Sequence, residues 1–494
     1  MDSIKRHILW IALLLQALLV FPRLDLLPMW GDERYTLQTS AQSPSGILAA
    51  LRVDVHPPLY YFLVKGWLKL PLPASELARA RALSALIALV ATAALYQLWL
   101  KALPFERQAL FLGLWVLSPF LILYARMARS YTLQLTLTLI AIRLARDWLR
   151  SPYDRASMAR YVAAETVLLY THYLPGLAVA AGTAAWGLWR RQWQQALGLA
   201  VIGLAYLPWL RTLIDTSGAV VRAHPYGIAP NAAVEHAVKL GYAFVAFNFG
   251  ECIPAWVIPI AIALLPLIFA ALWTAWQRTT HPPVLFLVAA AVGYVGAASW
   301  VTFAFVGARL LFLLPFYYLF LLRGLEIRRW RGAVTYAGLL LVACGGLSSY
   351  YRQQDFLNKG YLVDFEQITR ALQQSSPRPP DLVLLDSQVS NAGYYLHSSF
   401  PYPVRILEDH ASFEHAVEEL HHHRPALVWY LRYGRDLTSG SLHGRLQHEI
   451  SRDYQIEPHY FVPFSWLDRK VMEVLGLQSR PTHLIEAFEL RRKG

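Results

Sequence analysis

"ILWIALLLQALLVFPRLDLLPMWGDERYTL", residues 8–37, is an apolar run of membrane length that ends in an acidic pair, Asp32 and Glu33. A hydrocarbon core of roughly 30 Å takes about 20 helical residues to cross, and the stretch after Lys5 and Arg6 supplies them. Carboxylates just past such a run lie at the mouth of whatever bundle the helix joins, where water meets membrane-bound material. A second polar stretch, "DVHPPLYY" at 54–61, adds Asp54 and His56 before the chain turns apolar again.

The rest of the chain fits this opening. Its 494 residues are 56% hydrophobic and only 16% charged, with 17 Trp, which is far from a soluble globular composition. The net charge of +13 does not point to nucleic acid, because many Lys and Arg fall in short turns between apolar runs, where they set orientation. Lys5 and Arg6 put the N-terminus in the cytoplasm. Crossings are then expected at 8–27, 80–100, 108–124, 131–149, twice within 161–189 with a break near His172, and at 195–214, 253–276, 283–304, 308–322 and 333–350. About eleven spans of an inner (plasma) membrane protein result. The first outer loop is an exception to the charge rule, since it carries Arg34, Arg52, Lys65, Arg79 and Arg81. No small-x-small site follows the first run directly, so it reads as a retained span. Cys252 and Cys344 differ too much in expected depth to pair, and no zinc spacing is present.

Two domains are expected: a mainly α, polytopic helix bundle over 1–351 and a small C-terminal α/β domain over 352–494, outside the cytoplasm. In the second, "DLVLLD" (381–386) and "ALVWYL" (426–431) read as strands, with helical patterns at 388–397 and 412–422. His421, His422 and His423 mark a helix end leading into a strand rather than a metal site. No Gly-rich phosphate loop accompanies the strands.

The loop from 28 to 79 reads as helices lying in the headgroup plane, which hold Asp32, Glu33, Asp54 and His56 where a lipid headgroup meets water. Each residue also has a plainer reading: Asp32 as a helix cap, Asp54 and His56 as a turn before two prolines, Arg126, Arg129 and Arg309 as snorkelling cations, and His172 as a satisfied helix break.

Five motifs occur in order: "GDERYTL" (31–37), "DVHPPLYYFLVKGW" (54–67), "SPFLILYARMARSYTL" (118–133), "THYLPGL" (171–177) and "ARLLFLLPFYYLFLL" (308–322). Together they resemble the GT-C polyprenyl-phosphate-sugar-dependent glycosyltransferases, in particular the glycosyltransferase family 39-like group. That group is similar to protein O-mannosyltransferases and to the lipid A aminoarabinose transferase. The resemblance covers about residues 1–350. It implies a sugar donor on a polyprenyl phosphate, a glycan, lipid or protein acceptor, membrane lipids as surroundings and no nucleic acid. It further implies Asp32 as general base with Glu33 as its acidic companion, Asp54 and His56 shaping the acceptor side or holding the base, and Arg309 facing the donor phosphate. Arg129, Tyr131 and His172 complete the expected substrate contacts. Where relatives carry a Glu this chain has Met127, so an ion-pair or metal role of that Glu is lost and cofactor and metal dependence stay open. Two other classes fit less well: a polymerase or ligase using a diphosphate-linked glycan, and a secondary transporter, whose two-fold repeat is not visible.

Overall fold

The computed structural model describes residues 2–54, 56–223, 232–280, 283–300, 306–375, 378–386, 403–407, 410–433, 452–465, 468–470 and 482–493. The chain forms two compact units, Met1–Leu26 with Asp32–Phe356, and Leu27–Gly31 with Leu357–Gly494.

The first unit is helical. Its helices are α1 (Asp2–Val20), α2 (Gly31–Ala41), α3 (Pro44–Arg52), α4 (Leu59–Leu68), α5 (Glu76–Leu95), α6 (Phe105–Val116), α7 (Pro119–Ala125), α8 (Tyr131–Arg150), α9 (Arg155–Thr171), α10 (Tyr173–Arg190), α11 (Gln194–Ala223), α12 (Ala232–Phe249), α13 (Ile258–Gln277), α14 (Val284–Val295), α15 (Leu314–Gly324) and α16 (Trp330–Tyr351). Local chemistry sets many of their starts. Ser43, Ser75, Ser118 and Asp154 each cap a first turn with a side-chain oxygen, meeting N–H groups that a helix start leaves unpaired. Pro44 and Pro119 occupy the first turn, where a missing N–H costs nothing.

By length and composition five described helices can cross a membrane: Glu76–Leu100, Gln194–Asp215, Ala255–Gln277, Gly307–Gly324 and Trp330–Tyr351. The pair α6 and α7, bent by 56°, would make a sixth, and His7–Val20 and Val284–Ala298 are shorter apolar helices. The protein is thus a multi-pass membrane protein, and among the described residues five or six of the eleven or so expected spans are long and apolar enough by themselves. The reason is visible in α8 and α9. The first ends in Arg143, Arg146, Asp147 and Arg150, and the second has 17 residues including Arg155, Arg160 and Glu165.

Close helix contacts need small residues. A Cβ on Gly324 would stand 1.8 Å from the Ala271 carbonyl oxygen, and one on Gly182 would stand 2.4 Å from that of Leu285. These glycines let α15 meet α13 and α10 meet α14 backbone to backbone.

The second unit is a five-stranded mixed sheet in the order β2-β1-β3-β5-β4. Its strands are β1 (Leu382–Asp386), β2 (Val404–Leu407), β3 (Leu427–Tyr433), β4 (Tyr454–Pro463) and β5 (His483–Arg492). Strand β1 runs parallel to β2 and β3, whereas β5 is antiparallel to β3 and β4. Alternation along β1 serves both faces: Val383 and Leu385 pack with Ile368 and Leu372 of α17 (Phe365–Ser375), Leu382 and Leu384 with Phe413 and Val417 of α18 (His410–His423). The two strands read from sequence are β1 and β3, and the three histidines end α18. The helix expected at 388–397 lies outside the described residues.

Replacing Gly324 by Ala forces a methyl into the Ala271 backbone and should destabilise the first unit by about 1–3 kcal/mol. The check is the thermal midpoint in detergent. A variant that melts with the wild type would mean that α13 and α15 do not approach this closely.

Candidate active site

The site begins where α1 ends. The last carbonyls of a helix lack intrahelical partners, and here the Arg126 guanidinium supplies them. Its Nη1 donates to the carbonyls of Leu19 (3.2 Å), Val20 (2.8 Å) and Pro22 (2.7 Å), its Nη2 to Arg23, and its Nε to the Tyr350 hydroxyl at 2.8 Å. Arg126 is therefore a buried cap, not a snorkelling cation. It ties the turn 126–130 to the start of the first loop.

Asp32 and Glu33 sit side by side in the first turn of α2 and meet different surroundings. Glu33 is fully buried. Arg81 of α5 grips both its oxygens, Nε to Oε1 at 2.8 Å and Nη2 to Oε2 at 2.6 Å. The Ala128 N–H donates to Oε1 as well, at 2.7 Å. The remaining Arg81 nitrogen, Nη1, binds the Leu24 carbonyl at 2.8 Å. Arg81, one of the cations that break the charge rule in the first outer loop, is spent on this pair.

The Asp32 side chain is 47% exposed, and its Oδ2 lies 3.5 Å from Arg129 Nη2. Arg129 also donates from Nη1 to the Asp32 carbonyl (3.2 Å) and to Thr36 Oγ1 (3.1 Å). Its Nη2 reaches His56 Nε2 at 2.8 Å, and His56 Nδ1 meets Asp54 Oδ2 at 2.8 Å. A guanidinium can only donate, so His56 Nε2 accepts and Nδ1 carries the proton toward Asp54. Four of the residues singled out from sequence, Asp32, Arg129, His56 and Asp54, thus form one continuous chain. Burial, then the Asp54 charge, pushes the phenol of nearby Tyr35 well above its usual range, so Tyr35 stays a protonated donor.

Around this chain stand the other predicted residues. Buried Tyr131 lies within electrostatic reach of Arg129, Asp32 and Arg309. His172, between α9 and α10, caps α10 by accepting the Leu174 N–H at Nδ1, 3.2 Å; in the neutral ring this leaves Nε2 as the donor. The same His172 is within reach of His56, Arg309 and Arg129. Arg309, in the 3₁₀ segment Gly307–Leu313, has a buried Nη1 without a hydrogen-bond partner. Of the expected carboxylates, Glu33 alone is fully buried, with both oxygens engaged.

Glu251 escapes a reading from sequence. It is 1% exposed and accepts from the Tyr124 hydroxyl at 2.6 Å. The Tyr124 ring stands edge-on to Tyr131, with centroids 5.2 Å apart. A Cβ on Gly307 would come within 2.8 Å of Glu251 Oε1, so this carboxyl sits against the segment that carries Arg309. Only the positive φ of Gly250, +82°, hints at a special turn here. Among the described residues no three His, Cys, Asp or Glu side chains come together as a metal-binding set.

No protein-family model and no curated protein matches this chain. Among solved structures it is similar to ArnT from Cupriavidus metallidurans in the apo state, with a TM-score of 0.53 and 14% identity, over 99% of this chain and 98% of that one. ArnT from the same organism bound to undecaprenyl phosphate aligns with a TM-score of 0.49 and 13% identity, over 97% of each chain. At such identities the likeness to the apo structure is one of fold. It is the fold expected from the sequence, a helix bundle followed by an α/β domain.

Removing one partner of a buried pair strands the other charge, which typically costs about 3–5 kcal/mol. Glu33→Ala should lower the melting midpoint accordingly, and the double variant Glu33→Ala/Arg81→Ala should cost less than the sum of the single ones. Additive losses in such a double-mutant cycle would show that the two side chains do not act together.

Proposed function

We propose that this chain is an integral membrane glycosyltransferase that moves a sugar from a polyprenyl-phosphate donor to an acceptor hydroxyl at the outer face of the membrane, with inversion. One observation carries the reading. A half-exposed carboxylate, Asp32, stands beside a cluster of donors, Arg129, His172 and Arg309, of which Arg309 keeps a buried guanidinium nitrogen unpaired. A base next to an anion site is what displacement at a glycosyl phosphate requires.

The acceptor O–H gives its proton to Asp32 as its oxygen bonds to the anomeric carbon. The bond from that carbon to the phosphate oxygen breaks, and its electron pair leaves with the polyprenyl phosphate. Attack from the side opposite the leaving group inverts the centre. The phosphate gains charge as it departs, and a guanidinium fork binds two of its oxygens; this is the role assigned to Arg309, with His172 Nε2–H and Tyr131 beside it. Asp54 orients the His56 ring through Nδ1 and His56 Nε2 meets Arg129, so that Arg129 aligns Asp32 rather than wandering. Glu33 is buried with both oxygens held by Arg81 and acts by position, and the half-exposed Asp32 is assigned as the base.

The acceptor is a hydroxyl on a glycan, a lipid or a protein, and mass spectrometry of envelope lipids, glycans and proteins with and without the chain would identify it. The first loop and the C-terminal unit are assigned to the extracytoplasmic side. Single cysteines at exposed Gln42 and Thr280 test that assignment: an impermeant thiol reagent on intact cells should label position 42 and spare position 280, and the reverse result would invert the topology.

Asp32→Asn keeps shape but cannot take a proton at neutral pH. Turnover should fall about a hundred- to ten-thousand-fold while the melting midpoint and donor affinity hold. Near-normal turnover in a well-folded Asp32→Asn enzyme would remove Asp32 from the chemistry.

A further inference from the structure

Helix α8 is polar in two directions, and only one of them is satisfied. Thr132 donates to the Ser84 carbonyl at 3.0 Å and Thr136 to the Thr132 carbonyl at 2.8 Å; these residues look toward α5. Gln134 and Thr138, turned about a right angle or more further round the helix, are buried too. Neither amide atom of Gln134 nor the hydroxyl of Thr138 has a hydrogen-bond partner. Tyr131, Gln134 and Thr138 are spaced i, i+3 and i+7, which places them on one face. That face is the one Arg309 acts on through Tyr131, and the segment Gly307–Leu313 packs along α8.

A fully buried carboxamide with both ends unmet is costly, because it has given up water for nothing. Its needs are complementary to those of Arg309, to which it is not hydrogen-bonded in this structure. Arg309 Nη1 is a donor without an acceptor, and Gln134 Oε1 is an acceptor without a donor. If the two meet, the amide N–H groups of Gln134 remain free for a ligand that can only accept, and an ionised phosphate ester is such a ligand.

We infer that Gln134 is a recognition residue for the phosphate of the donor, its amide N–H donating to a phosphate oxygen and its carbonyl turning to accept from Arg309 Nη1 when the donor is bound. The inference rests on the donor reading above and adds to it a second, neutral contact that holds the guanidinium in register. Thr138, one turn deeper, offers a hydroxyl to the same group or to the amide.

The test uses the purified full-length protein in detergent with undecaprenyl monophosphate as probe, read by ligand-induced thermal shift and by Kd. Gln134→Leu should leave the ligand-free midpoint at or above that of the wild type, since unmet polar atoms are removed. Its affinity for the probe should weaken about tenfold to a hundredfold, the usual effect of losing a hydrogen bond to a charged group. Gln134→Glu, which sets a carboxylate against the phosphate, should bind more weakly still. Gln134→Met, unbranched, is the companion variant. Lowered ligand-free midpoints in both the Leu and Met variants would overturn the inference, because the amide would then be satisfied by the protein itself. Wild-type affinity in Gln134→Leu would overturn it as well, and with Arg309→Ala losing affinity the donor reading would stand alone. If Arg309→Ala bound the probe as the wild type does, or the wild type did not bind it, the donor reading would fail and the inference with it.

Discussion

The site depends on one buried ion pair. Arg81 and Glu33 are 3% and 0% exposed, and taking two charges out of water is repaid only when geometry is good and the leftover donors and acceptors are met. Here they are met by the fork of Arg81 on Glu33, by the Ala128 N–H and by the Leu24 carbonyl. The pair pins α2, α5 and the turn 126–130 at a single point, and that turn is what carries Arg129. One residue earlier on α2, about 100° round the helix, Asp32 faces the water. A single helical turn therefore sorts two adjacent carboxylates into one that builds and one that is open to solvent.

That sorting was not legible in the sequence. An acidic pair after a long apolar run stands out, because charge there has no cheap explanation, and Asp54 and His56 are close enough in the chain for their contact to be expected. Glu33, by contrast, is matched by an arginine 48 residues away, and Glu251 by a tyrosine 127 residues away. Nothing local marks either partner. The limits of the spans are blurred for a related reason. Hydropathy registers apolar side chains without saying whether lipid or protein will cover them, and in α8 and α9 neighbouring helices cover many: Ile142, Trp148, Tyr161 and Leu168 share one core with α3 and α10 residues Ile47, Leu51 and Val179. The strands of the second unit were readable where both faces are buried, as in β1, whose five residues are all buried. They were not readable in β4, where exposed positions and two prolines blur the pattern.

The cap that Arg126 places on α1 carries a consequence for biosynthesis. The carbonyls of Leu19, Val20 and Pro22 wait for a partner more than a hundred positions later, 106 in the case of Val20. At about 5–20 residues per second of synthesis those groups spend several seconds without it, and during that interval only water or lipid headgroups can meet them. The end of α1 is thus held at the membrane surface while the intervening helices are made. The guanidinium is in turn flanked by the rings of Tyr350 and Tyr351, each 5.4 Å away, which emerge later still. The first helix of this unit is locked by its last, and the loop bearing Asp32 takes its final shape only when the whole bundle has been delivered to the membrane.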